Sequence, residues 1–487
     1  MKRKIYDRLL QWKRSEAGRC ALLLEGARRV GKSYIVEAFA KAEYRHHLVI
    51  DFAKAKKAVK DLFVDKLDDL DEFFLLLEAR TGVRLVPGES LVVFDEVQRF
   101  PRAREAIKYL VQDGRHHYIE TGSLISIKKN VENIVVPSEE LKVRMHPMDF
   151  EEFLWAVGRE SVLPLVRKRF RDLEPMGPVD HRLAMELFRQ YLVVGGMPQA
   201  VEAFAAAKRL EEAEFAKKLV LDLYYEDIGK FAGRLKDKVR AIWRAIPGEL
   251  SLRDKRFSSG AAGRNVRMRE LDAPFEWLRE SMTVNLATNA TDPNVGFKWT
   301  EDKSDVKCYM ADTGLLASAA FSDGGNSGPE ILWRILTGTI ELNKGMLMEN
   351  AVAQMLRAAG RDLHFYKTPT AVPAEDRMEI DFLLAKSRIS RRHNVIPVEV
   401  KSAKDYTTIS LDRFRKKYPG YVATPVILHP GDVKRANGIV HLPLYMTPFL
   451  PELGTEAARK GRTRGRFPHD SRGSPPSGRN GRPWRKS

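Results

Sequence analysis

Eight residues, Gly26-Ala27-Arg28-Arg29-Val30-Gly31-Lys32-Ser33, satisfy the pattern G-x-x-x-x-G-K-[ST] between an apolar run, Cys20 to Glu25, and a stretch of helical period, Ser33 to Ala42. A strand that turns at glycines into a helix gathers backbone N–H groups and a helix N-terminus at one point, which is a cradle for phosphate. All eight residues are therefore expected to wrap a nucleotide. Lys32 would neutralise the β and γ phosphates of ATP, and Ser33 would place its hydroxyl on Mg²⁺.

A phosphate loop of this kind needs a parallel sheet behind it, and the following residues supply the period. His47 to Phe52, Ser90 to Asp95 and His117 to Thr121 read as strands, with helices at Leu67 to Arg80 and Arg102 to Asp113. Strands alternating with helices predict an α/β fold with helices on both faces of the sheet. The third strand, Leu91-Val92-Val93-Phe94-Asp95-Glu96, delivers two carboxylates at its C-terminal end, where ligands of open α/β sheets collect. Asp95 is the candidate Mg²⁺ ligand, and Glu96 the candidate general base that polarises the attacking water. Thr121 and Ser123, at the tip of the next strand, are candidate sensors of the γ-phosphate, with a simple capping role as the alternative.

Beyond Pro147 the period becomes helical, at Asp149 to Val157, Asp180 to Leu192, Met197 to Arg209 and Glu211 to Leu223. Helices at Asp237 to Ile246 and Asn265 to Glu280, then strands at Met282 to Thr288 and Val306 to Met310, suit a winged-helix-like linker. A Gly/Ser/Asn/Asp loop at Phe321 to Pro329 leads to helices at Ile331 to Glu341 and Lys344 to Ala359. Strands follow at Leu363 to Tyr366, Met378 to Ala385, Val395 to Lys401 and Thr424 to His429. The expected domains are thus an ATPase core (1–147), a helical lid (148–235), the winged-helix-like segment (236–325), a second α/β domain (326–453) and a disordered basic tail (454–487).

The formal charge of +18 is uneven. Ten Lys/Arg against two acidic residues lie beyond Thr455, while Arg253, Lys255, Arg256, Arg264, Arg267 and Arg269 bunch in the linker segment. Such a cluster would hold DNA or RNA through its phosphates, or else be a solvated face. Cys20 and Cys308 offer neither a disulfide framework nor metal-knuckle spacing, and a reducing cytoplasm fits them. No apolar run is long enough to span a bilayer, and Met1 to Arg19 lacks the apolar core of a signal peptide, so no membrane partner is expected.

A second group of charged residues stands on the later strands. Glu399 and Lys401, at i and i+2, share a strand face, and hairpin pairing would bring Asp381 beside them. Glu349 shares a helical side with Val352 and Leu356, a place where a carboxylate needs a purpose. The set Glu349, Asp381, Glu399 and Lys401 resembles the PD-(D/E)XK nuclease core, in which the acids bind a divalent metal and the lysine orients the attacking water. An exposed salt-bridging pair, or a core without catalysis, is the competing reading.

Leu22 to Ser33, Asp95-Glu96-Val97-Gln98, Thr121-Gly122-Ser123 and Met145 to Leu154 together resemble AAA+-type ATP-binding proteins of bacteria and archaea that carry a C-terminal domain of unknown function. Gly195-Gly196-Met197-Pro198 and Tyr309 to Leu316 match the same pattern. The likeness spans roughly Met1 to Pro451. It implies a P-loop ATPase followed by a helical lid, a winged-helix-like segment and a nuclease-like domain, without implying a biological process. The leading reading is that Mg-ATP binding and hydrolysis move the C-terminal domains, which act on nucleic acid or on a partner; a homo-oligomer is left open, and Arg144 is a candidate arginine finger with a solvated face as the alternative. The alternative is an ATP-binding signalling or scaffolding switch with a silent nuclease-like domain.

Overall fold

The computed structural model describes residues 1–123, 137–321, 327–337, 339, 344–369, 371–386, 392–403 and 405–453. The loop expected at 321–329, the turn at 387–394 and the tail beyond 454 lie wholly or in part outside those residues.

The first 147 residues build α1 (Ile5–Ser15), β1 (Ala21–Glu25), α2 (Lys32–Glu43), β2 (His46–Asp51), α3 (Lys57–Asp65), α4 (Leu70–Thr81), β3 (Ser90–Asp95), α5 (Pro101–Asp113), β4 (His117–Gly122) and β5 (Glu140–Arg144). The five strands form one parallel sheet in the order β2-β3-β4-β1-β5. Successive residues of β1 and β3 bury toward opposite faces: Leu22, Leu24, Leu91 and Val93 on one, Ala21, Leu23, Val92 and Phe94 on the other. That double burial is why the strands read as continuous apolar runs rather than alternating ones. Two elements were not read from the sequence. α3 spans only nine residues after a lysine-rich stretch, although its buried Val59, Leu62 and Phe63 stand at helical spacing, and β5 is an edge strand whose residues are only partly buried and carry no strong apolar period.

Five helices follow: α6 (Phe150–Ala156), α7 (Leu163–Asp172), α8 (Pro178–Val194), α9 (Pro198–Ala207) and α10 (Leu210–Phe231). Asp149 starts α6 through a capping box with Glu152, each side chain accepting from the other residue's backbone N–H. Next come α11 (Lys236–Ser251), α12 (Asp272–Glu280), β6 (Val284–Ala290), β7 (Glu301–Met310), α13 (Thr313–Phe321) and α14 (Ser327–Thr337). The helix expected from Asn265 begins only at Asp272. Gly263 and Asn265 both take positive φ (+143° and +61°), which an α-helix does not admit.

The hairpin β6–β7 does not stand alone as a wing. After α15 (Lys344–Ala358), β8 (Leu363–Lys367) pairs parallel to β6, and β9 (Glu379–Ile380) pairs antiparallel to β8, giving a sheet ordered β7-β6-β8-β9. A sheet therefore crosses the boundary expected near 325. A further sheet, β10-β11-β12-β14-β13, comprises β10 (Phe382–Ala385), β11 (Val395–Val400), β12 (Val426–His429), β13 (Lys434–Ala436) and β14 (Ile439–Pro443), with α16 (Ile409–Lys417) between β11 and β12. The strand expected over 378–385 is split at Asp381, where the chain passes from one sheet to the next. One apolar cluster runs without a break from Leu9 and Phe39 through the lid to Leu453.

Candidate functional site

Gly26 and Gly31 hold the loop in two different ways. A Cβ on Gly26 would approach the Met145 carbonyl oxygen to 2.6 Å, and Gly31 adopts φ +94°. Arg29 also has positive φ, +67°, so the backbone between β1 and α2 curls into a concavity of N–H groups. Arg3, itself buried, clamps the loop from outside, with Nη1 donating to the Val30 carbonyl at 2.9 Å and Nε to Glu152 at 3.0 Å. Lys32 is buried and donates to the carbonyls of Gly26 (2.9 Å) and Ala27 (3.0 Å). Burial pulls its ammonium down to about 8, against the upward pull of Glu96 and Asp95.

β3 brings both acids to this loop. Ser33 Oγ donates to Asp95 Oδ1 at 2.8 Å, and the Thr121 hydroxyl donates to the same oxygen. A serine hydroxyl and a carboxylate oxygen held together beside a buried lysine are oxygen donors that fit Mg²⁺. Glu96 has φ +53° and ψ +42°, a left-handed conformation that costs a non-glycine residue ~1–2 kcal/mol. It is held there by Gln98 Nε2, which donates to Glu96 Oε2 at 2.7 Å, and by its own N–H on Thr121 Oγ1 at 3.3 Å.

The other expected residues separate. Because β4 lies between β1 and β3, its tip stands between the loop and the acids. There Thr121 touches Asp95, whereas Ser123 lines a narrow crevice with Arg28, Tyr224 and Asp227 of the lid side. Arg144 ends β5 in register with Glu25, its side chain 56% exposed and its Nε 3.9 Å from Glu25 Oε2.

Residues outside the motif tie the loop to the lid. From α10, the Tyr224 hydroxyl donates to the Arg28 carbonyl at 2.8 Å, and Asp227 accepts from Arg28 Nη1 at 2.7 Å. The same helix reaches a buried hub further back, where Lys217 donates to the Val193 carbonyl at 2.8 Å and Glu214 accepts from Ser318 at 2.9 Å. The hub's centre is Asp312, fully buried, which accepts from the N–H groups of Gly196 (2.6 Å) and Leu315 (2.9 Å) and from Gln354 Nε2 (3.2 Å). Gln354 of α15 also donates to the Met148 carbonyl at 3.0 Å. The Met145 to Leu154, Gly195-Gly196 and Tyr309 to Leu316 segments thus meet at one point. Their glycines are needed there: a Cβ on Gly314 would lie 2.3 Å from the Val194 carbonyl oxygen.

Glu349, Asp381, Glu399 and Lys401 line one cleft of about 440 Å³. The register that pairs Phe382 with Val398 carries Asp381 to the level of Glu399, and the Val400 N–H donates to Asp381 Oδ2 at 2.8 Å. Glu399 pairs with Lys401 at 2.5 Å, and burial pushes its carboxyl up to about 7 against that lysine's pull. Sequence reasoning missed Lys307, Lys255 and Glu379, which share the cleft. Lys307 Nζ, buried, stands 2.8 Å from Glu379, 3.3 Å from Glu349 and 3.4 Å from Asp381. Only the strand alternation of β7 could have pointed to Lys307, whose neighbours Val306 and Cys308 are buried as well. Among the described residues no cluster of three or more His, Cys, Asp or Glu side chains is arranged to hold a metal ion. No described helix is long and apolar enough to cross a membrane.

Comparison with known families matches residues 19–154 to the AAA domain, residues 185–324 to a domain of unknown function (DUF8612) and residues 344–446 to another (DUF4143). No curated protein matches the chain. Similar solved structures include a Walker-type ATPase of Pyrococcus abyssi, at 17% identity, covering 65% of this chain and 95% of that one, with a TM-score of 0.38. They also include a STAND (signal transduction ATPase with numerous domains) protein with a tetratricopeptide repeat sensor from Pyrococcus horikoshii (13% identity, 73% and 48% coverage, TM-score 0.25). PCH-2 of C. elegans is a third (15% identity, 34% and 44% coverage, TM-score 0.17). The N-terminal segment is an AAA-type ATP-binding P-loop domain.

Proposed function

We propose that the chain is an ATP-driven switch that hydrolyses ATP at the loop of Gly26 to Ser33 and passes the change to its C-terminal sheets. The contact that carries this reading is Ser33 Oγ on Asp95 Oδ1 at 2.8 Å, which joins the phosphate loop to the acidic strand. The loop's N–H groups and Lys32 would bind the triphosphate, and Ser33 and Asp95 would hold Mg²⁺, which when bound neutralises phosphate charge. Glu96, oriented by Gln98, would take the proton of the attacking water. Thr121 keeps Asp95 in place, Ser123 is the second sensor candidate, and Arg144 is the arginine offered to a neighbouring copy. Motion would travel along α10, whose contacts at Lys217 and Asp227 are ten residues, or about 15 Å of helix, apart.

Of the six basic residues in the linker segment, Lys255 and Arg256 are engaged internally, with Glu349 and with Asp254, while Arg253, Arg264, Arg267 and Arg269 are exposed. Those four support DNA or RNA as the partner through phosphate contacts. The order helix, four strands, helix, strand from α15 to β12, with β10, β11 and β12 in one sheet, and the meeting of Glu349, Asp381, Glu399 and Lys401, support a PD-(D/E)XK-like core in the C-terminal segment.

Titration calorimetry with ATP and Mg²⁺, with phosphate release measured in parallel, tests the reading. Binding and turnover should both appear and both vanish in Lys32→Ala. Absence of ATP binding would overturn it, and binding without turnover in the parent would favour a scaffolding switch.

A further inference from the structure

A PD-(D/E)XK-like cleft implies a divalent metal between its carboxylates, and the residues present do not fit one. Five carboxylates line the cleft, Asp254, Glu349, Glu379, Asp381 and Glu399, and four lysines, Lys255, Lys307, Lys367 and Lys401, are ion-paired with them, so most of the formal charge is offset within the protein. The balance is local as well. Both oxygens of Glu349 are engaged: Oε1 accepts from the Tyr309 hydroxyl at 2.6 Å and from Lys307, while Oε2 accepts from Lys255 at 2.5 Å. Asp381 divides its oxygens between Lys307 and the Val400 N–H, while Glu399 is ion-paired with Lys401 through Oε2 but lies outside the reach of Lys307 and its oxygens have no hydrogen-bond partner among the described residues. A cation set among Glu349, Glu379 and Asp381 would need the place the Lys307 ammonium already fills, since all three lie within 3.4 Å of it.

Lys307 is also not free to withdraw. It sits in the interior of β7, paired with Ala287 of β6, which is in turn paired with Leu363 of β8, so three strands are laced together at its level. On its other side it bridges to Arg256. Its ammonium lies 5.1 Å from the Phe365 ring centroid and has 1% side-chain exposure.

We propose that Lys307 is the resident cation of the C-terminal cleft, standing where a nuclease of this architecture would carry a divalent metal, so that the cleft is a metal-free ion-pair network that does not cleave nucleic acid. This rests on reading Glu349, Asp381 and Glu399 as one site and is independent of the ATPase reading. A lysine held by three carboxylates offsets one of their charges, with Lys255 and Lys367 beside it offsetting others, yet an ammonium has no coordination position at which to activate water. The proposal decides between the two accounts of the C-terminal domain in favour of the silent one.

Manganese binding by the full-length protein without nucleotide, read by electron paramagnetic resonance, tests it. Parent and Asp381→Asn should bind the same number of Mn²⁺ ions, and Lys307→Met should gain one ion that is lost again when Asp381→Asn is added. A parent that loses an ion on Asp381→Asn overturns the proposal, as does a folded Lys307→Met that gains none. A gained ion indifferent to Asp381→Asn would overturn the reading of the carboxylates as one site. Should Lys307→Met not fold, incubating the parent with plasmid and single-stranded DNA in Mn²⁺ still decides. No cleavage supports the proposal, and cleavage abolished by Asp381→Asn sinks it.

Discussion

Lys32 Nζ donates to the Gly26 carbonyl oxygen at 2.9 Å, so the lysine of the phosphate loop is folded back on the residue that opens that loop. Its surroundings disfavour the charged form, holding the ammonium near 8, and a triphosphate beside it would restore that charge. Below pH 8 the free protein already carries the proton; above it, binding must recapture one. ATP affinity should therefore be flat up to about pH 8 and then fall roughly tenfold per pH unit, with proton uptake on binding. Calorimetry at pH 9 in two buffers of different ionisation enthalpy measures that uptake, and an affinity unchanged to pH 9.5 would count against it.

Glu96 is held in a left-handed conformation with Gln98 on its carboxylate. Glu96→Gln keeps the shape and removes the base, so ATP should bind within a few-fold of the parent while turnover drops ~10²–10⁴-fold. Single-turnover phosphate release with pre-bound ATP separates the two effects. Equal losses in binding and turnover would place Glu96 in a structural role.

The hub at Asp312 tolerates no side chain at Gly196, where a Cβ would lie 2.0 Å from the Met148 carbonyl oxygen. Gly196→Ala should cost at least the ~1–3 kcal/mol of an overpacked core, visible as a lower midpoint in urea unfolding. Gly248, inside α11, has nothing within 4 Å of its would-be Cβ, so Gly248→Ala should instead stabilise by ~0.5–1 kcal/mol.

Glu399 is buried, and its carboxyl is raised from 4.5 to about 7 in the folded protein. A raised folded value means the native state holds the proton more tightly. The resulting stability is full below pH 4.5 and is lost as pH rises through about 7. The difference corresponds to about 3 kcal/mol at most. Denaturant unfolding between pH 4.5 and 8 should show this decline in the parent, and Glu399→Gln should flatten it. An unchanged slope in Glu399→Gln would assign the decline to other groups.

Much of the ATPase was legible because its signals are local. The loop of Gly26 to Ser33 is one contiguous run, and β1 and β3 announce themselves because both faces of a central parallel strand are buried. The pairing of Asp381 with Glu399 was also within reach, since a hairpin's register follows from strand alternation. β5 was missed because a half-exposed edge strand leaves little apolar period to read, and α3 because its helical period, Val59, Leu62 and Phe63, lasts only nine residues.

By itself, the sequence determined where a phosphate can be cradled and which carboxylates end an apolar strand, because turn chemistry and strand period act over a few neighbouring residues. Tertiary structure alone decided that Tyr224 and Asp227 grip the loop at Arg28, that Asp312 gathers three distant segments, and that Lys307 enters the carboxylate cleft from β7. Each of those contacts joins residues far apart in the chain, and its partner is chosen by which sheets share an edge and which faces bury together.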